Sequence, residues 1–517
     1  MPNYRLEYFK NDLISGITVA IMLIPQGMAY ALIAGLPPIY GLYAALTPQI
    51  VYAFLGTSKQ LAVGPVAMDS LLVAAGLGAL SIVGPSQYIQ MALLLALLMG
   101  VIQFLLGLLR MGFIVAFLSK PVISGFTSAA AIIIGLNQIK HILGISIPQS
   151  NKIHVFISLI INSQIQINFY ALAIGLISIL LLVVIKKCNS KIPSALVVVI
   201  MSIFYVSYAN YDQKGLAIVG EIPNGLPNFV FPFLEWDIIK SLLPISLTIA
   251  LVGFMEAISI AKSIEEKNKT DEINPNQELI ALGASNIIGS FFQSYPTSGG
   301  FSRTAVNNQS GAKTGVSALI SAIIVGVILS FFTDWFYYLP NASLGAIIIV
   351  AVTNLIDYKY TFGLYKERKD EFFVLIFTFT GTLFIGITEG ILFGIILSLL
   401  LLVYRTSKPH YAFLGRIGTT NYFKNIDRFP DEVVLRDDLI ILRFDAQLFF
   451  GNIQFFKNLI FDSVNNNHKK VKGYIINART INYIDSTALE KLTEIIIELQ
   501  KKGIRVMVVG ATGPTRD

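Results

Sequence analysis

The chain reads as an α-helical polytopic membrane protein that continues into a soluble α/β module. Three observations predict this class. Long apolar runs fill the chain before about residue 405, including Met91–Leu109, Ala171–Ile185, Leu242–Met255 and Ile391–Val403; with their flanks each reaches the roughly 17–25 residues of a spanning helix. Two of the apolar segments are interrupted in corresponding positions of the two halves, at Ala62-Val63-Gly64-Pro65-Val66-Ala67-Met68-Asp69-Ser70 and at Pro296-Thr297-Ser298-Gly299-Gly300-Phe301-Ser302-Arg303-Thr304. After Lys408 the composition turns polar and strand and helix patterns alternate. In numbers, 54% of the 517 residues are hydrophobic and 13% charged, against about 25% charged in a soluble globular chain.

About 14 apolar segments satisfy the spanning rule. The first seven lie near 12–33, 39–56, 65–81, 88–109, 121–139, 168–186 and 192–209. A polar stretch with Pro and Gly follows over 210–240. The second seven lie near 243–262, 277–293, 301–312, 315–335, 341–356, 371–386 and 388–405. The third and tenth are short for a span, as expected of half-helices preceded by extended arms. A helix that begins in mid-membrane leaves N–H groups unpaired and points its positive dipole end at whatever fills the gap. Such irregular backbone is tolerated only where it is buried or lines a cavity. Paired breaks of this kind point to a transport site at the bilayer midplane.

Loop charges orient the chain. With the N-terminus in the cytoplasm, the cytoplasmic loops hold Lys59, Arg110, Lys186, Lys187, Lys191, Lys262, Lys267, Lys269, Lys313, Lys359, Lys366, Arg368 and Lys369. The opposite side holds Lys140, Lys152, Lys214 and Lys240. This asymmetry follows the positive-inside rule and places both termini in the cytoplasm. The third and tenth segments then run in opposite directions. The net charge of +7 is explained by these loops without a nucleic-acid partner. One cysteine, Cys188, excludes an intrachain disulfide, and His141, His154, His410 and His468 are not spaced as metal ligands. The sequence offers no nucleophile–base constellation and no phosphate loop, so an enzyme is disfavoured and no cofactor is expected.

The soluble module is expected over 431–517, after a linker at 409–430. Val433–Leu435, Ile440–Phe444, Gly473–Asn477 and Arg505–Val509 are strand-like; Asn452–Asn465 and Ser486–Gln500 are helical. The alternation predicts a mostly parallel sheet with packed helices. The chain stops after a strand and a Gly-Pro turn, where a closing helix is expected to follow.

Arg303 is the sharpest candidate for chemistry. An arginine at mid-membrane is costly unless it faces a cavity or a partner. It would supply positive potential to an anion, with Ser302 and nearby N–H groups as donors, or it would pair with a buried carboxylate such as Glu256. Glu256, in an apolar helix, is a proton carrier or Arg303's partner. Asp69 binds a coupling cation or proton, or else caps the first half-helix, the reading favoured here. Gln26 and Tyr30 are polar tips on an apolar helix. Gln26 is expected in the cavity; Tyr30 there or in an interhelical hydrogen bond. Gly41, Gly125, Gly135 and Gly394 are expected at close helix contacts. In the soluble module Asp485 or Ser486 is expected to cap a helix, with Ser486 and Thr487 as the sharper alternative, a regulatory loop.

Several of these residues carry a resemblance. Pro25-Gln26-Gly27-Met28-Ala29-Tyr30-Ala31, Gly35-Leu36-Pro37-Pro38-Ile39-Tyr40-Gly41-Leu42-Tyr43, Gly56-Thr57-Ser58 and Gly64-Pro65-Val66-Ala67 resemble the sulfate permease (SulP) family. So do Phe301-Ser302-Arg303-Thr304-Ala305-Val306-Asn307 and Glu256 in its Met-Glu-Ala-Ile setting, and the tail is similar to a STAS domain. The resemblance implies 7+7 inverted repeats. A core of segments 1–4 and 8–11 would move, elevator-like, against a gate of segments 5–7 and 12–14. It implies an anion site at Gln26, Tyr30, Val66, Ala67, Ser302 and Arg303, ion coupling at Glu256, and a homodimer in the lipid bilayer of the cell membrane; Asp69 is a second ion-coupling candidate from its place on the half-helix alone. Asp69 departs from the family pattern, in which an apolar or small residue is common, and Asp485-Ser486-Thr487-Ala488 departs from the Ser-Gly pair of STAS antagonists.

The resulting expectation is a proton-coupled symporter of an inorganic anion, sulfate foremost. Its rivals are sodium-coupled bicarbonate transport, anion exchange and C4-dicarboxylate transport on the same scaffold. A nucleobase symporter would place a carboxylate where Ser302 and Arg303 stand. A non-transporting signalling protein acting through the STAS domain would not need intact half-helices.

Overall fold

The computed structural model describes residues 5–78, 80, 84–113, 119–145, 147, 153–162, 167–188, 193–232, 235–268, 272–353, 355–467 and 470–516. Lys152, Lys191, Lys269 and His468 lie outside the described residues. The chain divides into two compact units, Met1–Ile395 and Ile396–Asp517.

The first half runs α1 (Leu6–Ile33), α2 (Pro38–Ala44), α3 (Thr47–Leu55), β1 (Val63–Gly64), α4 (Ala67–Gly78), α5 (Pro85–Leu108), α6 (Lys120–Leu143), α7 (Ile153–Asn162), α8 (Phe169–Cys188) and α9 (Ser194–Ala209). The second runs α10 (Trp236–Asn268), α11 (Pro275–Phe291), β2 (Ser298–Gly299), α12 (Phe301–Gln309), α13 (Val316–Phe331), α14 (Asn341–Thr353), α15 (Tyr358–Glu367), α16 (Lys369–Phe384) and α17 (Ile387–Ser407). Each expected segment falls on a helix, and the second is broken into α2 and α3. Among the described residues seven helices are long and apolar enough to cross a membrane. The short helices α7 and α15 were not expected. Each follows the fifth segment of its half, and neither is long enough to span.

Packing sorts the helices into two groups. In one, α5 lies along α11 and α10, α1 along α13 and α12, and α3 along α11 and α13. In the other, α6 lies along α14, α16 and α8, and α8 along α9 and α14. Contacts of α1 with α14 and α9, and of α4 with α6, join the groups.

Glycine allows the closest approaches. A Cβ on Gly41 would lie 1.9 Å from the carbonyl oxygen of Gly27, so α1 and α2 touch backbone to backbone. Gly125 and Gly394 are similarly tight, with a backbone oxygen of Leu375 at 2.5 Å from the first. Gly135 departs from expectation: its nearest neighbour, a Val352 methyl carbon, would be 3.9 Å from an added Cβ, which is ordinary contact. A glycine in an apolar helix does not by itself specify a crossing point.

In the second unit, β3 (Tyr411–Ile417), β4 (Phe423–Asn425), β5 (Val433–Val434), β6 (Leu439–Phe444), α18 (Ile453–Asn465), β7 (Gly473–Asn477), α19 (Ser486–Lys501), β8 (Arg505–Val509) and α20 (Gly513–Arg516) follow in order. The sheet order is β4-β3-β6-β7-β8, with β5 beside β3. β6, β7 and β8 are parallel, and each crossover carries a helix. Leu442, Phe444, Phe456, Ile460, Tyr474, Ile476, Ile495 and Leu499 fill its core. The expected linker at 409–430 is corrected here. It holds two strands of the sheet, since β3 pairs antiparallel with β6 through Tyr411↔Phe444 and Phe413↔Leu442, and β4 pairs with β3. The stretch is polar at one end and short-stranded, so only pairing with β6 makes it a strand.

Candidate functional site

The two interrupted segments meet. β1 and β2 pair antiparallel, Val63↔Gly299 and Gly64↔Ser298. The Gly300 amide donates to the Ala62 carbonyl (3.0 Å), and the Ala62 amide donates to Thr304 Oγ1 (3.0 Å). A β-bridge satisfies the backbone of both arms where neither helix can. Side chains hold the arms from outside. Asn286 of α11 accepts from the Thr297 amide (2.8 Å) and donates to the Thr297 carbonyl (2.9 Å). Asn307 Nδ2 donates to the Gln60 carbonyl (2.9 Å), and Ser70 Oγ and Tyr295 Oη share a hydrogen bond of 3.0 Å.

Both half-helices begin at this bridge. The first amide with a helical acceptor is that of Ser70 in α4, to Val66, and that of Thr304 in α12, to Gly300. The amides of residues 67–69 and 301–303 therefore leave the helix ends free of helical acceptors, which gives two positive poles at one place. Arg303 sits between them, 2% exposed. Its Nη1 donates to Gln26 Oε1 at 3.5 Å, and its Nε and Nη2 have no partner. Buried, unpaired guanidinium nitrogens beside two helix N-termini are suited to an anion with several acceptor oxygens.

The other predicted residues gather here too. Tyr30 is buried within Coulombic range of Arg303 and Glu256. Val66 is buried and Ala67 half-buried; Ser302 is exposed, with no hydrogen bond to its side chain. Glu256 lies within Coulombic range of Arg303 and Asp69, yet forms no ion pair with Arg303, and its Oε2 is buried without a partner. The alternative of a standing Arg303–Glu256 salt bridge is thereby corrected: the two charges approach without closing the contact. The capping role favoured for Asp69 is corrected as well. Asp69 is fully buried and neither oxygen accepts a hydrogen bond, because the side chain turns from its own helix end toward α10.

Two further carboxylates escaped the sequence reading. Glu278 of α11 is fully buried and accepts from Tyr52 Oη (2.6 Å), from the Thr57 amide (2.6 Å) and hydroxyl (2.5 Å), and from the Ser58 amide (3.1 Å). Asp12 of α1 is also fully buried and accepts from the amides of Lys313 (2.7 Å) and Thr314 (3.1 Å) and from Thr314 Oγ1 (2.6 Å). Glu278 grips the turn after α3 and Asp12 the turn after α12. Glu278 stands in the first turn of α11, where an acid is ordinarily read as a dipole partner, and Asp12 lies in the second turn of α1. The shared signal is two consecutive amides with a Thr hydroxyl between or beside them, at Thr57-Ser58 and at Lys313-Thr314.

In the second unit Asp485 caps α19, accepting from the Ala488 amide (2.7 Å) and from the Phe450 amide (2.9 Å). Ser486 and Thr487 beside it are exposed.

Comparison with known proteins agrees with this architecture. The sulfate permease family matches residues 9–378 and the STAS domain residues 432–517. The chain is 40% identical over 528 residues to "Sulfate transporter 4.1, chloroplastic" of Arabidopsis thaliana, covering 99% of this chain and 76% of the relative. It is 33% identical over 527 residues to "High affinity sulfate transporter 2" of Stylosanthes hamata, covering 98% and 79%. The solved structure of murine Solute Carrier 26 family member A9, an anion transporter in the inward-facing state, superposes with a TM-score of 0.92 at 25% identity, covering 100% of this chain and 88% of that one. The transmembrane domain of a cyanobacterial bicarbonate transporter, BicA, shares the fold over 77% of this chain and 98% of its own, with a TM-score of 0.66 at 23% identity. The paired half-helices and these matches lead to one conclusion: the chain is a multi-pass membrane protein of the sulfate permease family with a C-terminal STAS domain.

Proposed function

We propose that this protein carries an inorganic oxyanion, sulfate foremost, across the cell membrane together with protons. The observation that carries the reading is the β1–β2 bridge, which brings two half-helix N-termini and the unpaired Arg303 nitrogens to one point. Gln26, Tyr30, Val66, Ala67, Ser302 and Arg303 form the anion site. Glu256 takes a proton as the anion loads, which removes a negative charge near Arg303. The helix group containing both half-helices moves as a core against the group built on α6, α8 and α14, so the site passes between the two sides without opening to both. The active form is a homodimer with both termini cytoplasmic. The names of the sulfate-transporting relatives support the substrate; Arg303 and the helix dipoles support a multiply charged anion over a neutral one.

The test is labelled sulfate uptake into liposomes, without sodium, with and without an inward proton gradient, using bicarbonate and succinate as competitors. Saturable uptake that rises with the gradient is expected. Absence of sulfate uptake, with sodium-dependent bicarbonate uptake in its place, would overturn the reading.

A further inference from the structure

The site contains one more buried acid than a single coupled proton requires. Asp69 projects from α4 onto α10 at Gly253: a Cβ on that glycine would lie 3.3 Å from both Asp69 oxygens. Glu256 stands one helical turn further along α10, on the same face. Asp69 and Glu256 lie within Coulombic range of each other, and three of their four carboxylate oxygens are buried without a hydrogen-bond partner. The Ser298 hydroxyl of the β2 arm is fully buried and lies within side-chain hydrogen-bonding reach of Asp69.

The surroundings supply little else. The α12 element brings Arg303, α1 brings Tyr30 and the arm before α12 brings Tyr295, all within Coulombic range of one another. From α5 comes Met99, whose methyl lies beside Gly253. The ionisable residues of α6, namely Lys120, Lys140 and His141, lie at its two ends. The charge balance of the site is therefore set by Arg303, Asp69 and Glu256. With both acids ionised the site is net negative and repels a divalent anion. With one proton it is neutral. With two it is net positive, and neither carboxylate remains charged without a donor in a low-dielectric setting.

We infer that the loaded site takes two protons for each divalent anion, one on Glu256 and one on Asp69, so that the loaded and empty sites carry the same charge and each complete transport cycle moves no net charge. This rests on the proton-coupled reading above and deepens it. The protons enter from the side of uptake, bind one carboxylate oxygen of each acid and leave with the anion on the other side. Ser298 is placed to hydrogen-bond Asp69 in both states, as donor to the carboxylate or acceptor from the acid.

The experiment measures the sulfate gradient that just halts net flux in liposomes holding the full-length chain, at a fixed pH difference and clamped membrane potential. Two protons per dianion let one pH unit hold about a 100-fold sulfate gradient, independent of potential. Asp69→Asn is expected to hold about a tenfold gradient, now sensitive to potential. A wild-type value of about tenfold, or a sodium requirement, overturns the inference. So does a wild-type-like value in Asp69→Asn. A wild type with no proton response at all would sink the proposed function itself. The wild-type ratio needs no variant, so the test stands even if Asp69→Asn fails to fold.

Discussion

Arg303 reaches Gln26 across the bridge between the two halves, Nη1 to Oε1 at 3.5 Å, while its other two nitrogens stay unpaired. A contact this long fixes the direction of the guanidinium more than its energy. Arg303→Lys keeps the charge and loses the planar fork, so sulfate uptake should need roughly 10- to 100-fold more substrate for half-saturation. Gln26→Ala should cost less than about tenfold. Uptake titrations of both variants check this; a larger loss in Gln26→Ala would mean that the glutamine, not the arginine, is the main donor.

Gly41 and Gly27 test the contact between α1 and α2. Gly41→Ala would drive a methyl into the Gly27 carbonyl at 1.9 Å, and backbone cannot yield as a side chain does. Gly27→Ala meets the Gly41 carbonyl at 3.0 Å, a strain the helices can relieve. Overpacking of this kind costs about 1–3 kcal/mol, and the first variant belongs at or beyond the upper end. Thermal unfolding in detergent should rank Gly41→Ala well below Gly27→Ala. Equal midpoints would show that the two helices part easily.

Glu278 and Asp12 each satisfy buried donors in the turn that follows a segment of the opposite half. Alanine at either position leaves those amides and hydroxyls unpaired, at about 1–3 kcal/mol per group. Glu278→Ala and Asp12→Ala should each lower the unfolding midpoint strongly, and their effects should add, because they hold separate turns. Near-wild-type stability in either variant would remove the clamp role.

The second unit offers a pH test. Asp445 accepts from Arg443 through two hydrogen bonds of 2.7 and 2.8 Å and meets His410 Nδ1 at 2.8 Å. Partial burial pushes its carboxyl up, but Arg443 and His410 outweigh this and hold it below the usual carboxylate range. A depressed folded value means that the ionised form is the stabilising one. Its contribution is present above the unfolded value near pH ~4 and is lost as pH falls through the folded value. The gap in melting midpoint between wild type and Asp445→Asn should thus be widest near neutrality and close on acidification. A gap that is constant with pH would refute the electrostatic account.

Much of the fold was legible because its causes are local. Hydropathy over a window of residues marks a spanning segment whatever it packs against. Short β-branched apolar runs mark Ile440–Phe444 and Gly473–Asn477 as strands without knowledge of their neighbours. Where the cause was non-local, expectation failed. β3 is a strand because β6 lies beside it. Gly135 has room around it because of where Val352 lies. Asp69 turns to α10 because Gly253 leaves a gap there.

The sequence by itself determined which segments enter the membrane, where two of them break and that Arg303 stands beside one break, since apolar length, Pro-Gly interruptions and an isolated charge are properties of the chain alone. Only the tertiary structure decided which groups remain unpaired. The bridge from Val63 to Gly299 satisfies backbone between distant halves, while Arg303, Glu256 and Asp69 come near one another without closing a contact. An unpaired buried charge is defined by every element around it, and no window of sequence contains them all.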